Sequence, residues 1–166
     1  MTIKRLLLAA LVASLALTSP GRALDLVTGD AYEPFTDSKL PDGGLSAHLV
    51  RAVAREMGEE VSIDFLPWAR GFLATKRGKY DGTFPYIRTR EREQEFHYSA
   101  PLFMIRNMVY VRRGRPVPLK RLEHLSGKSM CRPTGYAASE ALEPLISAGQ
   151  VHIEQVSDMP TCFRMV

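Results

Sequence analysis

The residues best suited to chemistry in this chain stand in four short groups. Thr89-Arg90-Glu91-Arg92 is the most informative polar group. A guanidinium is the side chain fitted to grip a carboxylate through two parallel hydrogen bonds. Thr89 is placed to cap a short turn, which would aim Arg92 back toward a cleft and leave Arg88 and Arg90 solvated. Asp30-Ala31-Tyr32-Glu33-Pro34-Phe35 sets two aromatic rings on a loop stiffened by proline. Trp68, the one tryptophan, opens a helix just after Pro67. A cation held over such ring faces gains about 0.5–2 kcal/mol, depending on desolvation. Thr134-Gly135-Tyr136 lies between a strand and the helix expected after it, where free backbone N–H groups favour anions. Each group also has a plain structural reading: rings that cover a sheet edge, a wet charged face, an ordinary cap.

Enzyme chemistry finds little support. Ser99 and Ser139 lack a nucleophile-elbow pattern, and His48, His97, His124 and His152 are scattered. Glu59-Glu60 falls at a helix-to-strand turn, where solvation is the default for carboxylates. No glycine-rich phosphate loop and no metal-ligand spacing occurs, so no catalytic residue, cofactor or metal is expected.

The elements that must hold these groups alternate between strand and helix, which predicts an α/β fold. Strands are expected at 24–28, 61–65, 80–84, 128–131 and 151–156. Leu45, Leu49, Ala52, Val53 and Met57 recur at helical spacing before Gly58, and a second helix is expected from Pro67 to Arg77. A third is expected over 137–148, kinked or shortened by Pro144, and Asp158 should cap a last one. Phe103 to Val111 reads as a long extended segment joining two βα-rich blocks, as a hinge strand would. Clefts in such folds open at the carboxyl ends of strands and between domains. All four groups, with Phe84 at the end of its strand, stand at such positions.

Lys4 and Arg5 precede an apolar run from Leu6 to Leu17, and Gly21-Arg22-Ala23 puts small residues at the −3 and −1 positions of a cleavage site. That is a secretory signal peptide over residues 1–23, cleaved after Ala23, and too short to span a bilayer of roughly 20 apolar residues. The leader holds three of the 22 basic side chains, so 19 face 18 acidic ones in the remainder. A net charge of +1 is no signature of nucleic-acid binding. In an exported chain the two cysteines, Cys131 and Cys162, are expected to form a disulfide, the alternative being two buried thiols.

In order along the chain come Asp30-x-Tyr32-x-Pro34-Phe35, Gly43-Gly44 before a helix, Pro67-Trp68-x-Arg70, Gly78-x-x-Asp81-Gly82, Thr89-x-x-Arg92 and Tyr98-Ser99-x-Pro101. This succession over residues 25–101 resembles the family 3 bacterial extracellular solute-binding proteins, polar amino-acid receptors of ABC importers. It is most similar to the subgroup with the Pro-Trp-x-Arg signature. The resemblance implies the two-lobed architecture of type II periplasmic-binding proteins. Residues 24–108 would form a nearly complete first lobe, and 109–166 the hinge and an incomplete second lobe. On this footing Arg92 would clamp a carboxylate, Tyr32 and Trp68 would flank the ligand, and Gly135 and Tyr136 would add donors from the second lobe. Phe84 joins the binding set by its place between Asp81 and Arg92.

The implied function is capture of a small polar or amino-acid-like solute by a periplasmic monomer, for an inner-membrane ABC permease. The same fold serves as a sensor without transport, and less often as a lyase or dehydratase. One departure stands out: Gly82-Thr83-Phe84-Pro85-Tyr86 is bulkier and less polar than the hydroxyl-bearing stretch the family carries there. That counts against an ordinary amino acid as ligand. The family's ammonium-binding acid comes from late in the second lobe, past residue 166. The chain is accordingly expected to be shorter than a working receptor.

Intact-mass spectrometry of exported protein without reductant should read two hydrogens below the reduced form. Two alkylatable thiols would refute the pairing. Closing a loop of roughly 30 residues contributes about 3.5 kcal/mol in the chain-entropy model.

Overall fold

A computed structural model describes residues 23–166. The leader read over residues 1–23 thus lies almost wholly outside the described residues. Strand β1, Leu24–Gly29, is the centre of a parallel three-stranded sheet, between β2 (Val61–Leu66) and β3 (Gly82–Phe84). Leu24 pairs with Val61 and Gly29 with Leu66, while Leu26 pairs with Gly82 and Thr28 with Phe84. As the central strand, β1 buries Val27 and Thr28 completely. Burial of a valine side chain contributes about 1.5–3 kcal/mol.

Helix α1, Leu45–Glu56, and helix α2, Trp68–Lys76, connect these strands. Parallel neighbours need such crossovers. The buried side of α1 differs from the expected stripe. Ser46, Ala47 and Ala54 are buried, whereas Leu45, Val53 and Met57 are exposed. Small side chains let the helix backbone lie close to the sheet, and the larger ones project past it. In α2, Gly71 does the same: a Cβ there would meet Val27 Cγ2 at 3.3 Å. Pro67 is the N-cap of α2 rather than its first helical residue.

A second, two-stranded parallel sheet pairs β4 (Lys128–Pro133) with β5 (Val151–Val156), in register from Lys128↔Val151 to Pro133↔Val156. The helix expected over 137–148 is confined to α4, Glu143–Ser147. Pro144 sits in its first turn, where its missing N–H costs nothing. A one-turn helix α3, Arg90–Glu93, precedes these elements, and α5, Met159–Met165, closes the chain. Cys131 on β4 and Cys162 on α5 are joined as a disulfide, with Cα atoms 5.4 Å apart.

The expected hinge strand is absent as such. Phe103 to Val111 forms no ladder with any strand among the described residues, and Met104, Met108 and Tyr110 lie exposed. The segment has strand-forming residues, but a strand exists only where a partner takes up its N–H and C=O groups. No helix among the described residues is long and apolar enough to cross a membrane.

Asp158 caps α5, accepting from Thr161 N at 2.8 Å and Thr161 Oγ1 at 2.6 Å. The side-chain hydrogen bond from Thr161, then that from Ser157, holds its carboxyl down at about 2, against an ordinary 3.8. The folded value lies below the unfolded one, so the cap's contribution is complete above about pH 4 and is lost as pH falls through 2. Thermal unfolding should therefore show the wild type losing more stability between pH 4 and 2 than Asp158→Asn. Parallel pH profiles would remove the carboxylate's role.

Candidate functional site

The segments that follow β1, β2, β3 and β4 bring Tyr32, Trp68, Tyr86 and Gly135 to one cleft of about 650 Å³, which β4 and α5 also line. Tyr32, Trp68, Tyr86, Arg92, Gly135 and Tyr136 are among the residues that line it. The chain leaves β1 through Asp30 into a loop that returns on itself, with Tyr32 N donating to the Thr36 carbonyl at 2.9 Å. That turn presents Tyr32 to the cleft. Its ring lies 5.3 Å from Phe35, which in turn contacts Phe103 at 5.2 Å.

Trp68 is buried, not exposed as its position in a first helical turn would favour. Its indole lies directly on Gly29, where an added Cβ would fall 2.0 Å from Cε2. Nε1 donates to the Asp30 carbonyl at 2.9 Å. Three rings meet the indole edge to face: Tyr86 at 5.3 Å, Tyr136 at 5.6 Å and Tyr32 at 5.7 Å. Such pairs are worth about 0.5–1.5 kcal/mol each beyond the area they bury.

Thr89 caps α3, accepting weakly from Arg92 N at 3.3 Å, and so sets the direction of Arg92. The half-buried guanidinium lies over Phe72 and Tyr86, its carbon 5.2 Å from each ring centre. Nη1 donates to the Ile87 carbonyl at 3.0 Å, and Nη2 crosses to the second sheet's loop, reaching the Gly135 carbonyl at 2.9 Å. Arg90 is exposed, and Arg88 pairs with Glu93 at the surface.

Gly135 has a positive φ of 90°, and a Cβ there would strike Ala69 N at 2.8 Å and Trp68 Cβ at 2.9 Å. Only glycine brings the second sheet's loop so near. The helix expected directly after it does not form, since no regular element begins before Glu143. The anion-binding helix start read at Thr134-Gly135-Tyr136 is therefore replaced by a carbonyl facing Arg92. Tyr136 instead brings its ring to Tyr32 and Trp68. Burial, then the nearby Tyr32 and Glu33, pushes its phenol well above the ordinary tyrosine range. Burial likewise raises Tyr86 to about 12. Both are neutral phenols at physiological pH.

Among the expected residues, Arg92, Tyr32, Trp68, Gly135 and Tyr136 come together around the cleft. Phe84 does not. It is buried in β3 with its carbonyl accepting from Thr28 Oγ1 at 2.6 Å, and it borders a second cavity of about 900 Å³ that shares Tyr32, Pro85, Tyr86, Ile87 and Ile105 with the first. Two rings that the sequence reading left out of the site hold the Arg92 guanidinium: Tyr86, which lines both cavities, and Phe72, which borders only the second. Tyr86 ends the bulky stretch after Asp81, and Phe72 stands four residues after Trp68, one helical turn away and on the same face. Among the described residues no cluster of His, Cys, Asp or Glu could hold a metal ion.

The model of the family described as bacterial extracellular solute-binding proteins, family 3, matches residues 24–159. None of the curated proteins matches the sequence significantly. Solved structures share the fold. An ancestral arginine-binding protein bound to arginine matches at 22% identity with a TM-score of 0.66, over 86% of this chain and 64% of that one. The ancestral amino acid-binding protein AncCDT-1, a precursor of cyclohexadienyl dehydratase, matches at 22% and 0.69, over 87% and 65%. A histidine kinase sensor domain with similarity to periplasmic binding proteins matches at 24% and 0.67, over 87% and 63%. The chain thus spans a little under two thirds of the length of these structures.

The Gly29–Trp68 contact yields a direct test. Gly29→Ala should lower the melting temperature, at a cost of about 1–3 kcal/mol for overpacking, and move the emission of the lone tryptophan to longer wavelength. An unchanged melt and spectrum would show that the indole is not seated on Gly29.

Proposed function

The chain belongs to the bacterial extracellular solute-binding proteins of family 3, and from that premise we propose that it captures a small polar solute bearing a carboxylate in the cleft between its two sheets. The observation that carries this reading is Arg92. A half-buried guanidinium with five N–H donors spends one on the Ile87 carbonyl and one on the Gly135 carbonyl, so its fork is held between the sheets with further donors for an anion. Tyr32, Trp68 and Tyr136 enclose the solute body, and the Gly135 loop closes over it. Export after cleavage at Ala23 places this event in the periplasm. Delivery of the solute by a monomer to an inner-membrane ABC permease completes the role.

The likeness to a histidine kinase sensor domain favours a second reading, in which the same capture is sensed and not transported. Permease and ATPase genes beside this one would decide for transport. A lyase or dehydratase role has less support. It needs an acid-base group over the solute: the Asp30 carboxylate is turned to Ser38, accepting from its N at 2.7 Å and its Oγ at 3.0 Å, and Glu33, which does border the cleft, is exposed.

Thermal-shift screening of carboxylated solutes finds the ligand, since a solute at ~100 times its Kd adds roughly 2.7 kcal/mol of stability. For any hit, Arg92→Ala should weaken binding on the order of 30-fold or more, the loss of about 2 kcal/mol expected when a buried charge loses its partner. Arg90→Ala should change it little. Equal effects by calorimetry would overturn the assignment of Arg92.

A further inference from the structure

We infer that this cleft selects carboxylates with a flat or apolar body over amino acids with polar or charged tails, and that Tyr86 and Tyr136 set the preference. The inference rests on the solute-binding reading above and deepens it. Its basis is the direction of the polar atoms in the cleft wall. Trp68 Nε1 is spent on the Asp30 carbonyl, and Tyr86 Oη donates to the Trp68 carbonyl at 2.8 Å. Both of these polar groups are turned into the backbone frame, which leaves the ring surface of Trp68 and Tyr86 toward the cleft. Pro85, Ile87 and Ile105 extend that surface on one side, and Met108 and Met130 on the other.

A polar tail entering this wall gives up its water and finds few partners, which is the strongest ground on which a site rejects a ligand. An apolar or planar body loses nothing by the same move. Ring faces also attract cations, but the charged lining opposes one. Arg92, Arg106 and Lys128 border the cleft with the Glu33 carboxylate; Arg106, Lys128 and Glu33 are exposed, which leaves Arg92 as the half-buried charge among these four. An anionic head on Arg92 with a ring or hydrocarbon body against Trp68, Tyr86 and Tyr136 satisfies both the charge and the surface.

Calorimetry with four probes tests this on the full exported chain: 3-phenylpropanoate, L-phenylalanine, L-glutamine and L-arginine. The tighter phenyl probe should bind at least about tenfold more tightly than either polar amino acid, within the range that an apolar pocket discriminates. Tyr86→Ser should shrink that ratio to below about threefold, and Tyr136→Ser, on the other sheet, should do the same. If L-glutamine or L-arginine binds as tightly as the phenyl probes, and Arg92→Ala abolishes it, the preference is wrong while solute capture stands. If none of the four binds but a polar-tailed carboxylate from the thermal-shift screen does, the preference is wrong while capture stands; if no carboxylated solute of the screen binds, capture fails along with it. A tenfold ratio that survives in both folded serine variants would overturn the assignment to Tyr86 and Tyr136. Should either variant fail to fold, the wild-type ratio decides the preference.

Discussion

The seating of one indole on one glycine organises this molecule. Trp68 occupies the space where any side chain at Gly29 would stand, so β1 must end in glycine for α2 to begin where it does. From that position the indole fixes three other parts. Its Nε1 ties the Asp30 carbonyl and with it the start of the Tyr32 loop; its backbone carbonyl accepts from Tyr86; its Cβ forms the floor against which Gly135 rests. The exits of β1 and β3 and the loop after β4 are thereby referred to a single rigid group. A tryptophan suits this task because it buries a large area with only two torsions to restrain.

Arg92 stands on that frame. A guanidinium in a half-buried place must recover its lost hydration, and here two carbonyls and two ring faces supply the return. The two carbonyls come from different sheets, so the group that would grip an anion also senses the separation of the sheets. A solute that engages the same fork thus acts where the two halves of the cleft meet. Lobe closure around a ligand needs such a differential contact, since a ligand shifts an equilibrium only by what it gains in one state over the other.

Local rules reached far in this chain because they concern neighbours in sequence. The alternation of strands and helices and the caps at Thr89 and Asp158 depend on backbone groups within a few residues. Where the answer depended on distant partners, the same rules failed. The large apolar residues of α1 are spaced as a buried stripe should be, yet the sheet accepts the alanines, because helix-to-sheet distance is set by the smallest side chains between them. Phe103 to Val111 has the composition of a strand and forms none, because a ladder needs a second chain segment. Residues 137–142, expected as the start of a helix, do not form one.

By itself the sequence determined the α/β class, the family and the order of the groups that meet at the cleft, since motif succession survives without any knowledge of distance. It also marked Arg92, Tyr32, Trp68, Gly135 and Tyr136 as candidates, through residue chemistry and their places after strands. Only the tertiary structure decided which faces those residues show. Trp68 became a buried pivot, Phe84 went into the sheet, and Gly135 offered a carbonyl where an amide had been expected. Tyr86 and Phe72 entered the site as the rings that hold the guanidinium. Side-chain direction at a strand end follows from what lies across the cleft, and residues on opposite walls here are separated by dozens of positions in sequence. No local pattern encodes that distance.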